Sequence, residues 1–91
     1  MAKHELKIWP EFFEPVLSGE KTFELRFDDK GYRAGDTLHL REWTANGLYT
    51  NRSIEMQITY VLSGFGLSAG FVALSIKPYS DCKQQGNRRQ P

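Results

Sequence analysis

The 91-residue sequence has little cysteine, no long apolar run and no strong net charge. Its single cysteine, Cys82, cannot form an intramolecular disulfide and provides no zinc-binding spacing, so we interpret it as an incidental reduced thiol. No segment approaches the roughly 18 apolar residues that a membrane helix needs. Residues 1–5 lack the character of a signal peptide. The sequence therefore predicts a cytoplasmic protein with no disulfide framework and no membrane span.

The lack of net charge limits the nucleic acids that this chain could bind. Residues 1–78 carry nine Lys and Arg against ten Asp and Glu, and the formal charge of +1 arises from Lys83, Arg88 and Arg89 near the end. A protein that binds long duplexes usually presents a basic field. The composition, 40% hydrophobic and 25% charged, is that of an ordinary globular domain. We therefore expect one domain over residues 1–78 and a disordered, weakly basic tail over residues 79–91.

Alternating apolar and polar residues predict a mainly β fold. Strands are expected at residues 4–9, 21–27, 36–43, 52–62 and 71–77. A helix begins at Pro10, whose ring suits the first turn, and ends at Gly19. Pro15 interrupts it, so we expect one kinked helix or two single turns. One or two short helices and five or six strands fit a small β-barrel whose closure removes sheet edges.

The longest strand and the segment that follows it carry two further expectations. Alternation over residues 52–62 places five apolar side chains on one face: Ile54, Met56, Ile58, Tyr60 and Leu62. The glycine-rich segment 63–70 has no lysine and no following helix, so it does not fit a phosphate-binding loop. We expect it to carry Phe65 and Leu67 over the mouth of the barrel.

The segment 19–26, Gly-Glu-Lys-Thr-Phe-Glu-Leu-Arg, concentrates charge next to the end of the helix. On a strand, Glu24 and Arg26 share one face, whereas Lys21 lies on the other face with Phe23. One interpretation is a solvated strand face on which Glu24 and Arg26 neutralise each other. The other is a binding or catalytic site.

The pattern Gly-x-Lys-x-x-Glu-x-Arg, formed by Gly19, Lys21, Glu24 and Arg26, resembles the signature of the ASCH domain, a branch of the PUA-like β-barrels. The resemblance covers residues 3–78 and is closest to small bacterial and phage members. It implies a PUA-like barrel with a ligand cleft where the first helix meets the barrel mouth. Lys21, Glu24 and Arg26 would lie near that cleft.

Aromatic residues are the candidates to line the wall of this cleft. The candidates are Trp9, Tyr32, Trp43 and Phe65. Core packing is the alternative for each, and we expect one or two to be exposed enough to stack on a base. Asp28 and Asp29 are followed by no calcium-loop spacing, so neither a metal nor a cofactor is expected.

Binding of RNA or a nucleotide is the first functional hypothesis. An exposed aromatic ring would stack on an unpaired base, Arg26 and Lys21 would meet phosphate, and Glu24 would accept from an amino group on a base edge. The near-neutral charge of residues 1–78 favours a short single-stranded or modified-nucleotide ligand. The sequence does not predict the oligomeric state.

Two alternatives remain open. The first is an enzyme resembling the bacterial acetylcytidine amidohydrolases, which share the ASCH architecture and whose lysine matches Lys21. That branch has a threonine nucleophile where this chain has Glu24, and it draws a catalytic Glu from a longer loop, whereas segment 63–70 has no acidic residue. Catalysis would therefore need a different acid–base chemistry of Lys21 and Glu24, since we interpret His39 as a solvated strand residue. The second alternative is a protein-interaction accessory factor, which a large exposed apolar patch would favour.

Overall fold

The computed structural model describes residues 1–80, which form one sheet and one helix. The elements in chain order are β1 (Lys3–Ile8), α1 (Pro10–Ser18), β2 (Phe23–Phe27), β3 (Thr37–Trp43), β4 (Tyr49–Ser63) and β5 (Phe71–Pro78). The predicted mainly β class is confirmed, and the strand ends differ from those predicted by up to three residues. Cys82 and the predicted tail from residue 81 onward lie outside the described residues.

The sheet has the strand order β1-β3-β4-β5-β2, so the strands at its two edges are β1 and β2. β1 runs parallel to β3, and the other three pairs are antiparallel. The sheet curls into a half-barrel. In the described part of the chain no strand joins β1 to β2, so the expected barrel is present with an open side.

The concave side of the half-barrel holds the core. Strand alternation supplies most of it, because every second side chain points inward, as Leu6 and Ile8 of β1 do. Helix α1 covers this side with Phe13 and Val16, which are 1% and 2% exposed. The core consists of Leu6, Ile8, Phe13, Val16, Tyr32, Leu38, Leu40, Met56, Ile58, Val72, Leu74 and Ile76.

Strand β4 departs from the predicted alternation near its middle. Ile58 pairs with Ile76, but Tyr60 pairs with Ser75, so β4 has one extra residue at this point. A β-bulge of this kind reverses the faces of the residues that follow it. Val61 therefore lies opposite buried Leu74, and Tyr60 is 61% exposed. The expectation that Tyr60 and Leu62 share the buried face of Met56 and Ile58 was wrong.

The end of α1 positions the start of β2. Gly19 has a φ of 88°, in the left-handed region that glycine adopts without strain, and its N–H donates to the carbonyl of Val16. Two residues later, the N–H of Lys21 donates to the carbonyl of Pro15 at 3.0 Å. Pro15 lies inside a single helix, so the expectation of one helix is confirmed over that of two separate turns.

Two features are absent from residues 1–80. No helix in this range has the length and apolar character needed to cross a membrane. No group of three or more His, Cys, Asp and Glu side chains in the same range is arranged to hold a metal ion.

Candidate functional site

Strand β2 buries Glu24, half-buries Arg26 and exposes its apolar side chains. Glu24 is only 4% exposed, whereas Phe23, Leu25 and Phe27 are 49%, 52% and 55% exposed. The interpretation of a solvated face for Glu24 and Arg26 was therefore wrong. The reversal is possible because two cations neutralise the carboxylate on the concave side, where an unpaired charge would be costly.

Lys21, Glu24 and Arg26 form one hydrogen-bonded cluster, which we call the charged triad. Lys21 Nζ donates to Glu24 Oε1 at 2.5 Å, and Arg26 donates to Glu24 Oε2 through Nε at 2.9 Å and Nη2 at 2.7 Å. Strict alternation from residue 21 placed Lys21 on the other face from Glu24. That placement was wrong because β2 begins only at Phe23, so Lys21 lies in the preceding turn.

The triad lies beside the free edge of β2. Thr22 accepts a backbone hydrogen bond from Ile76, and Asp28 donates one to Gly70, so even-numbered residues of this segment face β5. In an antiparallel ladder the odd-numbered residues then turn their N–H and C=O groups toward the open edge. Lys21 Nζ fits this arrangement, since it donates to the carbonyl of Phe23 at 2.7 Å.

Arg26 links this edge to the opposite edge of the half-barrel. Its Nη2 also donates to the main-chain carbonyl of Lys7 in β1 at 2.8 Å. The guanidinium thus bridges the two edge strands, β1 and β2, at the open side of the curled sheet. Besides its charge, Arg26 therefore fixes the distance between these two strands.

A cleft of about 490 Å³ occupies this open side, and we call it the edge cleft. Its walls are the free edges of β1 and β2 and the first turn of α1. It is lined by Lys7, Ile8, Trp9, Phe12, Lys21, Phe23, Glu24, Leu25, Arg26 and Phe27. Three cations and one buried carboxylate give this lining a net charge of about +2, although the domain as a whole is nearly neutral.

Exposed aromatic rings lie next to these cations. Trp9, Phe12 and Phe23 are 42%, 44% and 49% exposed. Lys21 Nζ lies 4.8 Å from the ring centroid of Phe23 and 5.7 Å from that of Phe12, within the range of cation–π attraction. The edge cleft therefore offers flat apolar surfaces and positive charge within one concave site.

Some donors of the triad are not used within the described residues. Lys21 Nζ has three donors, of which Glu24 and Phe23 occupy two. Arg26 donates through Nε and Nη2, and its Nη1 makes no hydrogen bond in residues 1–80. Both oxygens of Glu24, in contrast, already accept hydrogen bonds. The cluster can thus donate to an anionic ligand, while Glu24 holds the two cations in place.

The four aromatic candidates occupy three different environments. Trp9 lines the edge cleft, and Trp43 lies beside it with ring centroids 5.3 Å apart. Tyr32 lies in the core against His4, and burial raises the pKa of its phenol. Phe65 is 92% exposed after β4 and does not line the edge cleft. The structure brings together Lys21, Glu24, Arg26 and Trp9.

Sequence reasoning missed six of the ten residues that line the edge cleft: Lys7, Ile8, Phe12, Phe23, Leu25 and Phe27. Lys7 shares the outward side of β1 with Trp9, which is a signal that alternation alone could have provided. Phe12 and Phe13 are neighbouring aromatic residues of α1, and residue type does not distinguish them. Only the packing of α1 shows that Phe13 is buried and Phe12 is not.

Another buried carboxylate, Glu42, belongs to the structural framework. It is 3% exposed and accepts hydrogen bonds from Arg52 and Thr50, which lower the pKa of its carboxyl. Arg52 also donates to Glu14 and so ties α1 to the sheet. Because Glu42 is bound by these partners and does not line the edge cleft, it is not part of the candidate site.

The chemistry available in the edge cleft is limited by its lining. None of the ten lining residues is a serine, threonine or cysteine. A covalent step there would need the amine of Lys7 or Lys21 or the carboxylate of Glu24, and Lys21 and Glu24 share a short hydrogen bond. Acid–base chemistry of this pair stays a prediction, whereas donation of hydrogen bonds to an anion needs no further group.

Comparison with known proteins assigns the family. Residues 3–76 match DUF3850, which is described as a domain of unknown function. The chain belongs to the DUF3850 family. Every residue that lines the edge cleft lies within the matched part of this DUF3850 domain.

A phage protein is a relative of this DUF3850 domain. It is an uncharacterized 12.9 kDa protein in the GpA 3' region of Escherichia phage P2, 47% identical over 62 residues. The match covers 67% of this chain and 56% of the phage protein's own length. The phage origin of this relative agrees with the expected likeness to phage proteins. The resemblance of the DUF3850 domain to the ASCH domain stays a prediction.

Proposed function

We propose that this DUF3850 domain binds a short single-stranded RNA or a nucleotide, in ordinary or modified form, in the edge cleft. The observation that supports the proposal most is the meeting of exposed aromatic rings and three cations in one concave site. Base stacking on aromatic side chains and phosphate contacts from Lys and Arg are the two interactions that single-strand binders combine.

Each part of the ligand has a matching group in this proposal. A base stacks on Trp9, Phe12 or Phe23, whose faces are partly exposed. The phosphate accepts hydrogen bonds from Arg26 Nη1 and from Lys21. Glu24 holds these two cations in position, because both of its oxygens are already occupied by them.

The local charge suits a ligand with few phosphates. The lining carries about two net positive charges, and the rest of residues 1–78 supplies no excess of cations. If three cations contact phosphate, the logarithm of the binding constant should fall with the logarithm of salt concentration with a slope of about −2. A protein that covers a long duplex would show a much steeper slope.

Intrinsic fluorescence provides a direct test, because the sequence contains two tryptophans and both lie at or beside the edge cleft. We expect a single-stranded RNA tetranucleotide to change this fluorescence saturably, and a duplex of equal length to bind more weakly. Absence of any saturable change, with binding also absent by calorimetry, would refute the proposal.

A matched pair of lysine variants locates the site. Lys7 lines the edge cleft, and its side-chain ammonium makes no hydrogen bond in residues 1–80, so Lys7→Gln should weaken tetranucleotide binding several-fold without affecting the fold. Lys30 is an exposed lysine that does not line the cleft, so Lys30→Gln removes the same charge elsewhere. Equal affinity of the two variants would contradict binding in the edge cleft.

A role in protein interaction is the second candidate, and the outer face of the sheet favours it. Phe23, Ser75 and Tyr60 form one row across β2, β5 and β4, and all three are exposed. A second row contains Leu25, Ala73 and Leu62, and a third contains Phe27 and Phe71. Apolar rows on neighbouring strands are typical of a surface that another protein covers.

A second copy of this chain that pairs with the free edge of β2 would continue these rows across the two copies. Antiparallel pairing of two β2 edges centred on Leu25 would place Glu24 opposite Arg26 of the other copy. Sedimentation should then show a dimer that Leu25→Lys, on the outer face, converts to a monomer. A wild-type protein that is monomeric at every concentration would contradict this candidate. The proposal of nucleic-acid binding does not depend on that result.

A further inference from the structure

A second, smaller cleft adjoins the edge cleft. It has a volume of about 150 Å³ and is lined by Lys7, Ile8, Trp9 and Trp43. Three of these four residues, all but Trp43, also line the edge cleft. The two clefts are therefore neighbouring parts of one groove along β1, with Trp9 common to both.

The smaller cleft combines the same two chemical elements as the larger one. The rings of Trp9 and Trp43 have centroids 5.3 Å apart and are tilted by 51°, so the two rings do not stack in parallel on each other. Lys7 Nζ lies 4.6 Å from the centroid of Trp43. A base that entered this cleft would thus meet an aromatic face, and its phosphate would meet a cation.

Lys7 is the cation that lines both clefts. Its ammonium makes no hydrogen bond in the part of the chain that the structure describes, and its side chain is drawn over Trp43. In a dinucleotide the two bases are joined by one phosphodiester. A cation that lines both clefts is placed to meet that linking phosphate.

We propose that Trp43 forms a second base-stacking subsite and that Lys7 contacts the phosphate joining the two bases, so that the ligand is a single strand of at least two nucleotides. This inference rests on the proposed function of the edge cleft. It narrows that function, because a free mononucleotide would use only one of the two stacking positions.

The test compares cytidine monophosphate with the dinucleotide CpC by isothermal titration calorimetry. Each probe has one phosphate, and CpC carries the smaller charge, so tighter binding of CpC cannot come from charge. One additional stacked base should tighten binding by about tenfold or more. The deoxy dinucleotide dCpdC is measured in the same way. Comparison of its affinity with that of CpC shows whether the domain prefers RNA or DNA.

Variants of Trp43 assign the additional affinity to its ring. In Trp43→Ala the dissociation constant of cytidine monophosphate divided by that of CpC should fall to about one. Trp43→Phe keeps a stacking surface, so in this variant the ratio should be close to that of wild type. Tyr60→Ala is the matched control, because it removes an exposed aromatic ring on β4 outside both clefts and should keep the wild-type ratio. Circular dichroism checks that each variant is folded.

The outcomes separate the inference from the function on which it rests. If wild-type protein binds the mononucleotide and CpC equally well, the second subsite is refuted and the edge cleft remains a nucleotide site. A wild-type ratio that persists in Trp43→Ala also refutes the subsite on Trp43. If neither probe binds, both the proposed function and this inference are wrong.

Discussion

Replacement of Glu24 by glutamine should destabilise the domain, because it removes the only carboxylate of the charged triad. Glu24 accepts one hydrogen bond from Lys21 and two from Arg26, and it is 4% exposed. Glutamine keeps the shape but has one acceptor oxygen, and its amide donors would face one of the two cations. One buried charge then lacks its partner.

The magnitude follows from the burial of the three side chains. Hydrogen bonds to charged groups are worth about 1.5–3 kcal/mol each, and the side chains of Lys21 and Arg26 are 16% and 24% exposed, so water replaces part of what is lost. We expect Glu24→Gln to lower the free energy of unfolding by about 1–3 kcal/mol. For a domain of this size the melting temperature should fall by about 5–20 °C.

Thermal denaturation followed by circular dichroism measures this effect, with Glu5→Gln as the matched control. Glu5 accepts a hydrogen bond from Arg41 at 2.6 Å on the exposed side of the sheet, where an ion pair contributes little to stability. Equal melting temperatures for the two variants would refute the reasoning, since the triad would then be no more stabilising than a surface pair. Lost ligand affinity in a Glu24→Gln variant of wild-type stability would make Glu24 a ligand contact instead.

Three further predictions follow from the geometry. Gly70→Ala should destabilise the domain more than Gly64→Ala. Both glycines have positive φ, but a Cβ at Gly70 would lie 2.5 Å from the Phe27 ring, whereas nothing lies within 4 Å of a Cβ at Gly64. Urea denaturation should show a difference of about 1–3 kcal/mol between the two variants. Burial alone would raise the pKa of Asp36, but hydrogen bonds from His4 and two backbone N–H groups hold it below its usual value. Ionised Asp36 should therefore stabilise the fold at pH values above its ordinary pKa of about 3.9, and this stabilisation should be lost as the pH falls through the lower pKa of the folded state. Melting curves of Asp36→Asn should show a lower melting temperature than wild type at neutral pH. They should also show a smaller fall in melting temperature as the pH is lowered. Arg26→Lys should weaken tetranucleotide binding, because a lysine carries three donors on a single nitrogen in place of the five that the guanidinium spreads over three nitrogens. Bonds to Glu24 and to the carbonyl of Lys7 would then leave no separate group, such as Arg26 Nη1, for a phosphate; equal affinity in a fluorescence titration would contradict this.

The elements that were predictable from sequence are those in which local pattern and tertiary environment agree. In β1 and β5 the alternation of apolar residues continues through the whole strand, and Leu6, Ile8, Val72, Leu74 and Ile76 are the side chains that it buries. The end of α1 was also predictable, because Gly19 supplies the left-handed residue that ends a helix.

The errors have causes that no local pattern contains. The bulge after Ile58 depends on how β4 pairs with β5, and it reverses the face of Tyr60. The inward orientation of Glu24 depends on Lys21 and Arg26 closing over it from two directions. In both places, residue spacing predicted that the side chains alternate between two faces. Which residues face inward depends on the strand or side chain that contacts them, and residue spacing does not contain that information.

The charged residues of the candidate site were easier to predict from the sequence than the aromatic residues that line it. The charged motif marked Lys21, Glu24 and Arg26, and the resemblance to PUA-like barrels implied a cleft beside them at the first helix. Tyr32 and Phe65 were named with equal reason, but one is in the core and the other projects away from the cleft lining. An aromatic residue in a short chain is a candidate for packing and for binding alike, and only the folded structure separates the two.

The central claim is that the edge cleft binds a short single strand, and chemical-shift mapping tests it most directly. Nitrogen–proton correlation spectra would be recorded while a single-stranded RNA tetranucleotide is added to the full chain. The account predicts saturable shifts at the Trp9 indole, at the amide of Lys7 and at the amide of Leu25, whose N–H faces the open edge of β2. Shifts confined to the outer apolar face around Tyr60, or no shifts at millimolar RNA, would contradict it.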